Sequence, residues 1–375
     1  MKKIVVLLLC LVMVVSVIGI TACSNNETPQ PSASAENSGD ENNGGDAPAG
    51  GTLYDAVIAA GNTYTLGTAV KAVGIGWFDR MAEGVKSFAD KTGSDAYLDG
   101  PAETDAAAQN NIIQDMIAQG ADGLCIVPFS AEACEPVLKD AMDKGIVVIA
   151  HEADQMENCD FDIEALDNEA YGAALMDALA EGMGEEGKYI TTVGAVTSTS
   201  QCQWEEGGYN KQQSAYPNME AVERKLETGD SQDTAKQIMA EMLKKYPDLA
   251  GFQGATSQDA PGAAQAVEEA GLLGKVTVVG TSMPSISSKF MESGSMVAMA
   301  CWDPAAAGEA MNVLAATILN GNKDTIKVGA DIGVTGYNSI QLNPNRSDAE
   351  NPEKYLQCDA MILITSAEQM ADYPF

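Results

Sequence analysis

Short apolar runs alternate with amphipathic helical patterns from residue 51 onward, and this alternation constrains the fold more than any other feature. The apolar runs predict buried strands at residues 63–70, 94–98, 123–127, 146–150, 161–165, 189–195, 251–254, 276–280 and 296–301. The helical patterns between them include residues 106–119, 132–144, 168–183, 234–245 and 261–270. Strands separated by helices of this length form right-handed crossovers in parallel sheets, so the sequence predicts an α/β fold.

The same strand–helix–strand unit occurs twice along the chain. Residues 121–128 read Ala-Asp-Gly-Leu-Cys-Ile-Val-Pro, and they precede a helix and the apolar run at 145–150. Residues 248–255 precede a helix and the apolar run at 274–280 with nearly the same spacing. The repeat predicts two similar lobes, each built on a doubly wound parallel sheet.

The first residues of the chain predict secretion and a lipid anchor. Lys2 and Lys3 precede an apolar run at residues 4–20, which is typical of a signal peptide. The run leads into Thr-Ala-Cys, which resembles the bacterial lipobox and implies cleavage before Cys23 and lipid attachment to its thiol. We therefore expect residues 1–22 to be a lipoprotein signal peptide, with an ordinary signal peptide or an uncleaved anchor as the alternative.

Composition and charge define the surroundings in which the chain works. Residues 23–52 are rich in Asn, Ser, Gly, Pro and acids, which predicts a flexible, lipid-anchored linker. The formal net charge is −33, from 21 Lys and Arg against 54 Asp and Glu. Lacking a basic cluster, the sequence excludes nucleic-acid binding and leaves the lipid anchor as the expected membrane contact. The outer face of a Gram-positive cell membrane is favoured over a periplasm as the expected location.

An enzyme is one alternative class, and few residues support it. The chain has a single histidine, His151, beside Glu152, and it has no Gly-x-Ser-x-Gly elbow. No glycine-rich phosphate loop follows a predicted strand. We therefore expect no catalysis, no cofactor and no metal site.

Six cysteines follow Cys23, and none of them has the C-x-x-C spacing of a zinc or redox motif. Secretion permits disulfides. Cys134 and Cys159 flank one helix–strand unit, so we predict that these two residues pair. Buried free thiols throughout are the alternative.

Polar and aromatic residues are concentrated where the predicted strands end. All three tryptophans of the chain, Trp77, Trp204 and Trp302, fall in these loops. Because ligands bind beyond the carboxyl ends of parallel strands, the loops predict a shared aromatic cleft. Its polar candidates suit a sugar or another small polyol: Lys71, Glu152, Asp154, Gln201, Gln203, Ser257 and Asp259.

Six short motifs follow one another along the chain. They are KAVGIGWF at 71–78, DGP at 99–101, QCQW at 201–204, AAQA at 263–266, ACWD at 300–303 and YPF at 373–375. In this order they resemble the type I periplasmic-binding-protein family of sugar ABC transporters. The likeness covers residues 63–375 and is greatest to the branch that contains autoinducer-2-binding and rhamnose-binding receptors.

The resemblance implies two lobes joined by a three-crossover hinge, with the ligand held between them when the hinge closes. The crossovers are expected near residues 162–167, 302–304 and 336–342. Asp303 would then lie at the hinge and contact the ligand. The lobe boundaries implied are 53–163 with 304–340 for the N-terminal lobe, and 164–303 with 341–375 for the C-terminal lobe.

The resemblance also implies which residues contact the ligand. Lys71 and Gln201 match the branch pattern, whereas Glu152 and Ser200 each replace an aspartate of that pattern. Two backbone positions beside a proline and an alanine become Ala255 and Ser257, so a pentose, hexose or deoxyhexose is indicated in place of autoinducer-2. The expected ligand-binding set is Lys71, Trp77, Phe78, His151, Glu152, Asp154, Ser200, Gln201, Ala255, Ser257, Trp302 and Asp303.

The sequence as a whole predicts an extracytoplasmic solute-binding lipoprotein that acts as a monomer. It would capture a sugar or sugar-like molecule and deliver it to an ABC permease with its ATPase. The alternative is a receptor for autoinducer-2 or a sugar that presents its closed form to a sensor kinase or chemoreceptor, because both partners read the surfaces of the lobes.

Overall fold

The computed structural model of the protein describes residues 51–375. The predicted signal peptide, Cys23 and nearly all of the predicted linker lie outside the described residues. The helices are α1 (Leu53–Ala60), α2 (Gly76–Thr92), α3 (Ala106–Ala118), α4 (Ala131–Asp143), α5 (Asn168–Met183), α6 (Thr199–Ala215), α7 (Gln232–Lys245), α8 (Asp259–Glu269), α9 (Pro284–Ser293) and α10 (Pro304–Leu319).

The strands divide between two sheets. They are β1 (Thr65–Ala69), β2 (Asp95–Asp99), β3 (Gly123–Ile126), β4 (Val147–Ala150), β5 (Phe161–Glu164), β6 (Gly187–Val193), β7 (Met219–Glu227), β8 (Leu249–Gly254), β9 (Thr277–Thr281), β10 (Ala298–Cys301), β11 (Gln341–Leu342), β12 (Tyr355–Gln357) and β13 (Ile362–Ile364). Short 3₁₀ turns connect several of the C-terminal elements.

The first sheet has the order β11-β12-β5-β4-β3-β1-β2, and the second has the order β13-β10-β9-β8-β6-β7. Within each sheet the pairs are parallel except at one edge, where β11 runs antiparallel to β12 and β13 runs antiparallel to β10. We call the first sheet with its helices the first lobe and the second sheet with its helices the second lobe. The predicted α/β class with two doubly wound lobes is confirmed.

Local signals in the sequence set the ends of the helices. Asp167 precedes α5, and its carboxylate accepts the N–H of Ala170 at 3.0 Å, which satisfies a donor that the helix itself leaves free. Gly184 ends α5 in the left-handed conformation with φ 72°, which glycine adopts without a side-chain clash. Asp105 caps α3 in the same way as Asp167 caps α5.

Strand β7 is the longest strand that the sequence pattern does not predict. Its residues, Met-Glu-Ala-Val-Glu-Arg-Lys-Leu-Glu, include five charged side chains, because it forms an edge of the second sheet and most of it is half-exposed. Apolar periodicity identifies strands that are buried, and an edge strand with charged residues lacks that signal. The loop after β7 was therefore missing from the predicted cleft.

Three segments connect the two lobes. Residues 165–167 lead from β5 to α5, which packs on β8, β9 and β10, and residues 302–303 lead from β10 to α10, which packs on β3 and β4. These two crossovers lie where the sequence predicts them. The third runs through residues 358–361, where the N–H of Ala360 donates to the carbonyl of Ala165 at 2.9 Å.

The predicted third crossover at residues 336–342 is wrong. Gln341 and Leu342 pair with Gln357 and Leu356, and β12 in turn pairs with β5 of the first sheet. Residues 341–357 therefore belong to the first lobe, and the predicted boundary of the C-terminal lobe moves from 341 to about the start of β13. The pairing strands are only two and three residues long, which gives sequence periodicity too little to detect.

The predicted disulfide between Cys134 and Cys159 is not formed. All six cysteines within residues 51–375 are free, and five of them are buried. Cys134 is packed in the apolar core around β3 and β4, and the thiol of Cys159 donates to the carbonyl of Met156 at 3.4 Å. Both thiols therefore serve as small apolar side chains with raised pKa values, caused chiefly by burial.

Helices α2 and α10 pack against each other in the first lobe at a point where no side chain fits. A Cβ added to Gly84 would lie 1.8 Å from the carbonyl oxygen of Ala305. The backbones of the two helices approach closely here, and backbone atoms cannot turn away as a flexible side chain can. The helix pair therefore depends on glycine at this position.

We expect Gly84→Ala to lower the free energy of unfolding by about 2 kcal/mol or more, because the two helices must separate. Alanine is intrinsically the better helix residue, so any loss reports packing. Thermal unfolding followed by circular dichroism measures the change. Lys86→Ala is the matched control on the same helix, since its side chain is 72% exposed. An unchanged or raised melting temperature for Gly84→Ala contradicts this packing.

Candidate functional site

A cleft lies between the two lobes at the carboxyl ends of their parallel strands. Its empty space, open solvent included, is about 310 Å³, and the lining side chains leave little of it enclosed. The first lobe provides the loop after β1 with the start of α2, and the loop after β4. The second lobe provides residues that follow β6, β7 and β8 together with the last residue of β9, and Trp302 comes from the crossover after β10. The lining residues are Lys71, Ile75, Trp77, Phe78, Glu152, Gln201, Trp204, Asp230, Ala255, Thr256, Ser257, Thr281 and Trp302.

A buried ion pair forms the first lobe's contribution to the cleft. The ammonium of Lys71 donates to the carboxylate of Glu152 at 2.5 Å, and the two side chains are only 2% and 4% exposed. Burial alone would lower the pKa of Lys71, but the carboxylates of Glu152 and Asp230 outweigh burial and raise it. Lys71 is therefore charged, and its remaining N–H groups are available to a ligand.

Glu152 has a backbone conformation that is uncommon for its residue type. Its φ is 55°, in the left-handed region, although it is neither glycine nor asparagine. Such conformations cost on the order of 1–3 kcal/mol and persist where the surroundings require them, which is often at binding sites. Here the conformation follows the end of β4 and accompanies the contact with Lys71.

The three tryptophans form one cluster around the cleft. Trp302 is central, with its ring centroid 4.8 Å from that of Trp77 and 5.5 Å from that of Trp204, both edge-to-face. The indole N–H of Trp204 donates to the side chain of Asn168 at 2.6 Å, whereas that of Trp302 is buried and has no partner among residues 51–375. The cluster offers apolar ring surface together with the unpartnered indole N–H of Trp302.

The second lobe faces the ion pair with an amide and a carboxylate. The side-chain oxygen of Gln201 accepts the backbone N–H of Gly194 at 2.8 Å, and its Nε2 donates to Asp230 Oδ1 at 3.3 Å. Burial raises the pKa of Asp230 to about 6, against the opposing charge of Lys71. The sequence analysis missed Asp230 because the strand before it was missed; the Gly-Asp turn ahead of the α7 cap residue, Ser231, was the available signal.

Eight of the twelve predicted ligand-binding residues line the cleft: Lys71, Trp77, Phe78, Glu152, Gln201, Ala255, Ser257 and Trp302. His151 does not, because its ring packs edge-to-face on Trp302 at 5.9 Å and its Nδ1 contacts the carbonyl of Ile163 at 2.6 Å. Asp303 does not line it either. Both of its carboxylate oxygens accept from Arg80, and it also caps α10.

Asp154 and Ser200, the other two predicted residues outside the lining, connect the lobes. Gln203 of α6 donates to both oxygens of Asp154, which follows β4, at 3.0 and 2.9 Å. The hydroxyl of Ser200 in α6 donates to Glu164 of β5 at 2.9 Å. Burial first, and then the charge of Asp154, raise the pKa of Glu164 to about 8. A neutral, buried carboxyl group therefore lies beside the first crossover at neutral pH.

Asp259, a further polar candidate, belongs to the scaffold of the second lobe. Its carboxylate accepts the hydroxyls of Thr192, Thr228 and Thr256 at 2.6–2.7 Å, which ties together the ends of β6, β7 and β8. With its acceptors occupied, Asp259 holds the strand ends in position behind the cleft. Within residues 51–375, no group of three or more His, Cys, Asp or Glu is arranged to hold a metal ion.

Comparison with known proteins identifies the family. Residues 66–323 match the sequence profile described as "Periplasmic binding protein domain", which is more than half of the chain. The chain therefore belongs to the periplasmic binding protein family. The family and the fold expected from the sequence motifs are confirmed by this match and by the two-lobed architecture.

Individual relatives agree with this assignment. The chain is 28% identical over 211 residues to the D-ribose/D-allose-binding protein of Pseudomonas aeruginosa, an alignment that spans 53% of this chain and 63% of that relative. The LsrB structure from Clostridium saccharobutylicum in complex with AI-2 superposes with a TM-score of 0.75 at 22% identity, over 83% of this chain and 100% of that one.

A solute-binding protein from Clostridium phytofermentas with bound L-rhamnose gives a TM-score of 0.72 at 21% identity, over 83% of this chain and 98% of that one. These likenesses to solved structures concern the fold. The relatives are described as binding proteins, in agreement with the expectation that this chain is not an enzyme. No helix within residues 51–375 combines the length and apolar character that crossing a bilayer requires.

We expect Glu164→Gln to change how stability depends on pH. The unfolded chain releases the Glu164 proton near pH 4.5, whereas the folded protein retains it to about pH 8. The stability that this group contributes below pH 4.5 is therefore lost as the pH rises toward 8. Glutamine keeps the oxygen that accepts from Ser200 but does not ionise. Relative to the wild type, the free energy of unfolding of the variant should be higher at pH 8 than at pH 4.5 by about 1 kcal/mol or more.

Chemical denaturation at the two pH values measures this difference. Glu169→Gln is the matched control, because Glu169 is exposed in the first turn of α5. Asp154 and Asp162 also have raised pKa values, so the variant should flatten the pH dependence of the wild type without abolishing it. Parallel pH profiles for wild type and Glu164→Gln would contradict a buried neutral Glu164.

Proposed function

We propose that this chain captures a monosaccharide between its two lobes and presents the closed complex to an ABC permease. The observation that carries the proposal is the buried Lys71–Glu152 ion pair beneath the tryptophan cluster, at the junction of the lobes. An ion pair hidden from water, with free ammonium N–H groups beside aromatic rings, suits a neutral ligand that has both hydroxyl groups and C–H faces.

The size and chemistry of the cleft support a single sugar ring. The narrow cleft between the lobes, lined by thirteen residues, favours a small ligand over a peptide or a long oligosaccharide. The hydroxyl group of Ser257, which accepts from Gln258 and keeps its own proton free, adds a neutral donor from the second lobe. One relative is named for D-ribose and D-allose, and one structure of the same fold holds L-rhamnose, which supports pentoses, hexoses and deoxyhexoses as candidates.

The proposal includes the expected attachment to the membrane. Cys23 would carry the lipid, the linker at residues 23–52 would act as a tether, and the monomeric binding body would work on the outer face of the cell membrane. The lipobox-like Thr-Ala-Cys and the polar, acidic composition that follows it support this arrangement. The permease and its ATPase would then take up the sugar that the closed form delivers.

Binding by residues 51–375 tests the proposal directly. The panel contains D-ribose, D-allose, L-rhamnose, D-arabinose, D-glucose and autoinducer-2. A ligand at 100 times its Kd adds about 2.7 kcal/mol to the free energy of unfolding, so the melting temperature should rise by several degrees. All three tryptophans lie around the cleft, so the same sugar should also change the intrinsic fluorescence.

A variant that fills the cleft tests whether the sugar binds there. Ala255 is 5% exposed and lines the cleft, so Ala255→Leu should abolish the sugar-induced shift without unfolding the lobes. Ala270→Leu places the same side chain at the exposed end of α8 and should bind normally. A panel with no hit contradicts sugar capture, and a hit that Ala255→Leu retains contradicts the location.

A further inference from the structure

Asp230 places a carboxylate in the cleft and has a left-handed backbone conformation. It follows β7 in the second lobe, and its φ of 54° lies in the left-handed region. Within residues 51–375 only four non-glycine residues have a positive φ, and two of them, Glu152 and Asp230, line this one cleft. The left-handed conformation is uncommon for residues other than glycine, and its occurrence at both acids directs attention to this cleft.

One oxygen of Asp230 is buried and has no partner. Gln201 donates to Oδ1, whereas Oδ2 has no hydrogen bond within the described part of the chain. A buried carboxylate oxygen without a donor is costly, and native structures rarely leave one without reason. Gly194 makes room for this oxygen, because a Cβ there would lie 2.4 Å from Asp230 Oδ2.

The two other acids beside Asp230 at the cleft each have a protein partner. Glu152 accepts from Lys71, and Asp259 accepts from three threonine hydroxyls and a backbone N–H. Asp162 also lacks partners, but it does not line the cleft. Among the lining residues Lys71 is the one cation, and it already has Glu152 as its partner. Asp230 therefore has acceptor capacity that no protein group in the cleft uses.

We propose that Asp230 is the specificity-determining residue of the sugar site, accepting one ligand hydroxyl at Oδ2 from the lobe opposite to Lys71. The inference rests on the proposed function and adds a selection rule to it. The site requires a neutral sugar that has a hydroxyl group at this position. Sugar acids are excluded, because two carboxylates already share the single ammonium in the cleft.

The geometry also predicts a pH dependence of binding. The charged groups that face Asp230 are Lys71 and Glu152 from the first lobe and Asp259 from α8. Burial raises the pKa of Asp230 to about 6, partly opposed by Lys71. Affinity for the sugar should therefore fall as the pH drops below about 6, where the carboxylate takes up a proton and weakens as an acceptor.

Calorimetric titration of residues 51–375 tests the assignment. The probes are D-allose, D-ribose and L-rhamnose, each also as its monodeoxy analogues, and D-glucuronate. We expect Asp230→Asn to weaken the best sugar by about tenfold or more near pH 7.5, since hydrogen bonds to charged groups are the strong ones. The variant should also lose the decline in affinity below pH 6. Asp233→Asn, exposed three residues later, should match the wild type in both respects.

The monodeoxy analogues separate direct contact from positioning. If Asp230 accepts one hydroxyl, one deoxy analogue should bind the wild type weakly and lose little further affinity in Asp230→Asn. Wild-type affinity that is independent of pH between 5 and 8, or equal loss for every analogue in both proteins, overturns the assignment. The pH dependence of wild-type binding and the wild-type affinities for the deoxy analogues remain decisive if the variant does not fold.

The outcomes also distinguish this inference from the proposed function. A wild type that binds none of the sugars contradicts the proposed function itself. A wild type that binds a sugar, with Asp230→Asn within twofold of it, leaves the proposed function standing and overturns the role of Asp230. Tight binding of D-glucuronate overturns the exclusion of sugar acids.

Discussion

The buried contact between Lys71 and Glu152 is the interaction on which the site depends. Placing both charges out of water carries a penalty that their attraction offsets only when the geometry is close, as the 2.5 Å separation provides. Removing one partner of such a pair typically costs about 3–5 kcal/mol. A hydrophobic pair of the same volume would stabilise the first lobe as well, but it would present no donors to a ligand. The pair is therefore best explained by binding.

Hydrogen bonds between the lobes lie beside this ion pair, and two of them involve carboxyl groups with raised pKa values. Asp154 and Glu164 of the first lobe accept from Gln203 and Ser200 of α6, and Thr104 donates to the carbonyl of Gly229 at 3.1 Å across the other side of the cleft. These contacts join the lobes in the closed arrangement around three crossovers. Each is a hydrogen bond of modest net strength, so ligand contacts from both lobes can decide the balance between open and closed forms.

Much of the fold and of the cleft can be predicted from patterns in the sequence. Buried strands repeat with helices between them, and their ends carry Lys71, Glu152 and the tryptophans, so both the lobes and most of the cleft can be predicted. Strand β7 is charged and exposed at an edge, so Asp230 could not be found by apolar periodicity. The position of the third crossover depends on strands of two and three residues, which are too short for periodicity to reveal. Whether Cys134 pairs with Cys159 depends on how close they lie in space, and spacing along the chain does not measure that distance.

The most direct test of this account is the sugar affinity of the double variant Lys71→Met with Glu152→Gln. Replacing both charges avoids leaving one of them buried without a partner, so the protein should remain folded and unfold cooperatively. The account predicts that the double variant binds the best sugar of the wild type about 100-fold more weakly, measured by calorimetry, since charge-assisted contacts are lost. A folded double variant that binds this sugar as tightly as the wild type would contradict the central role of the pair.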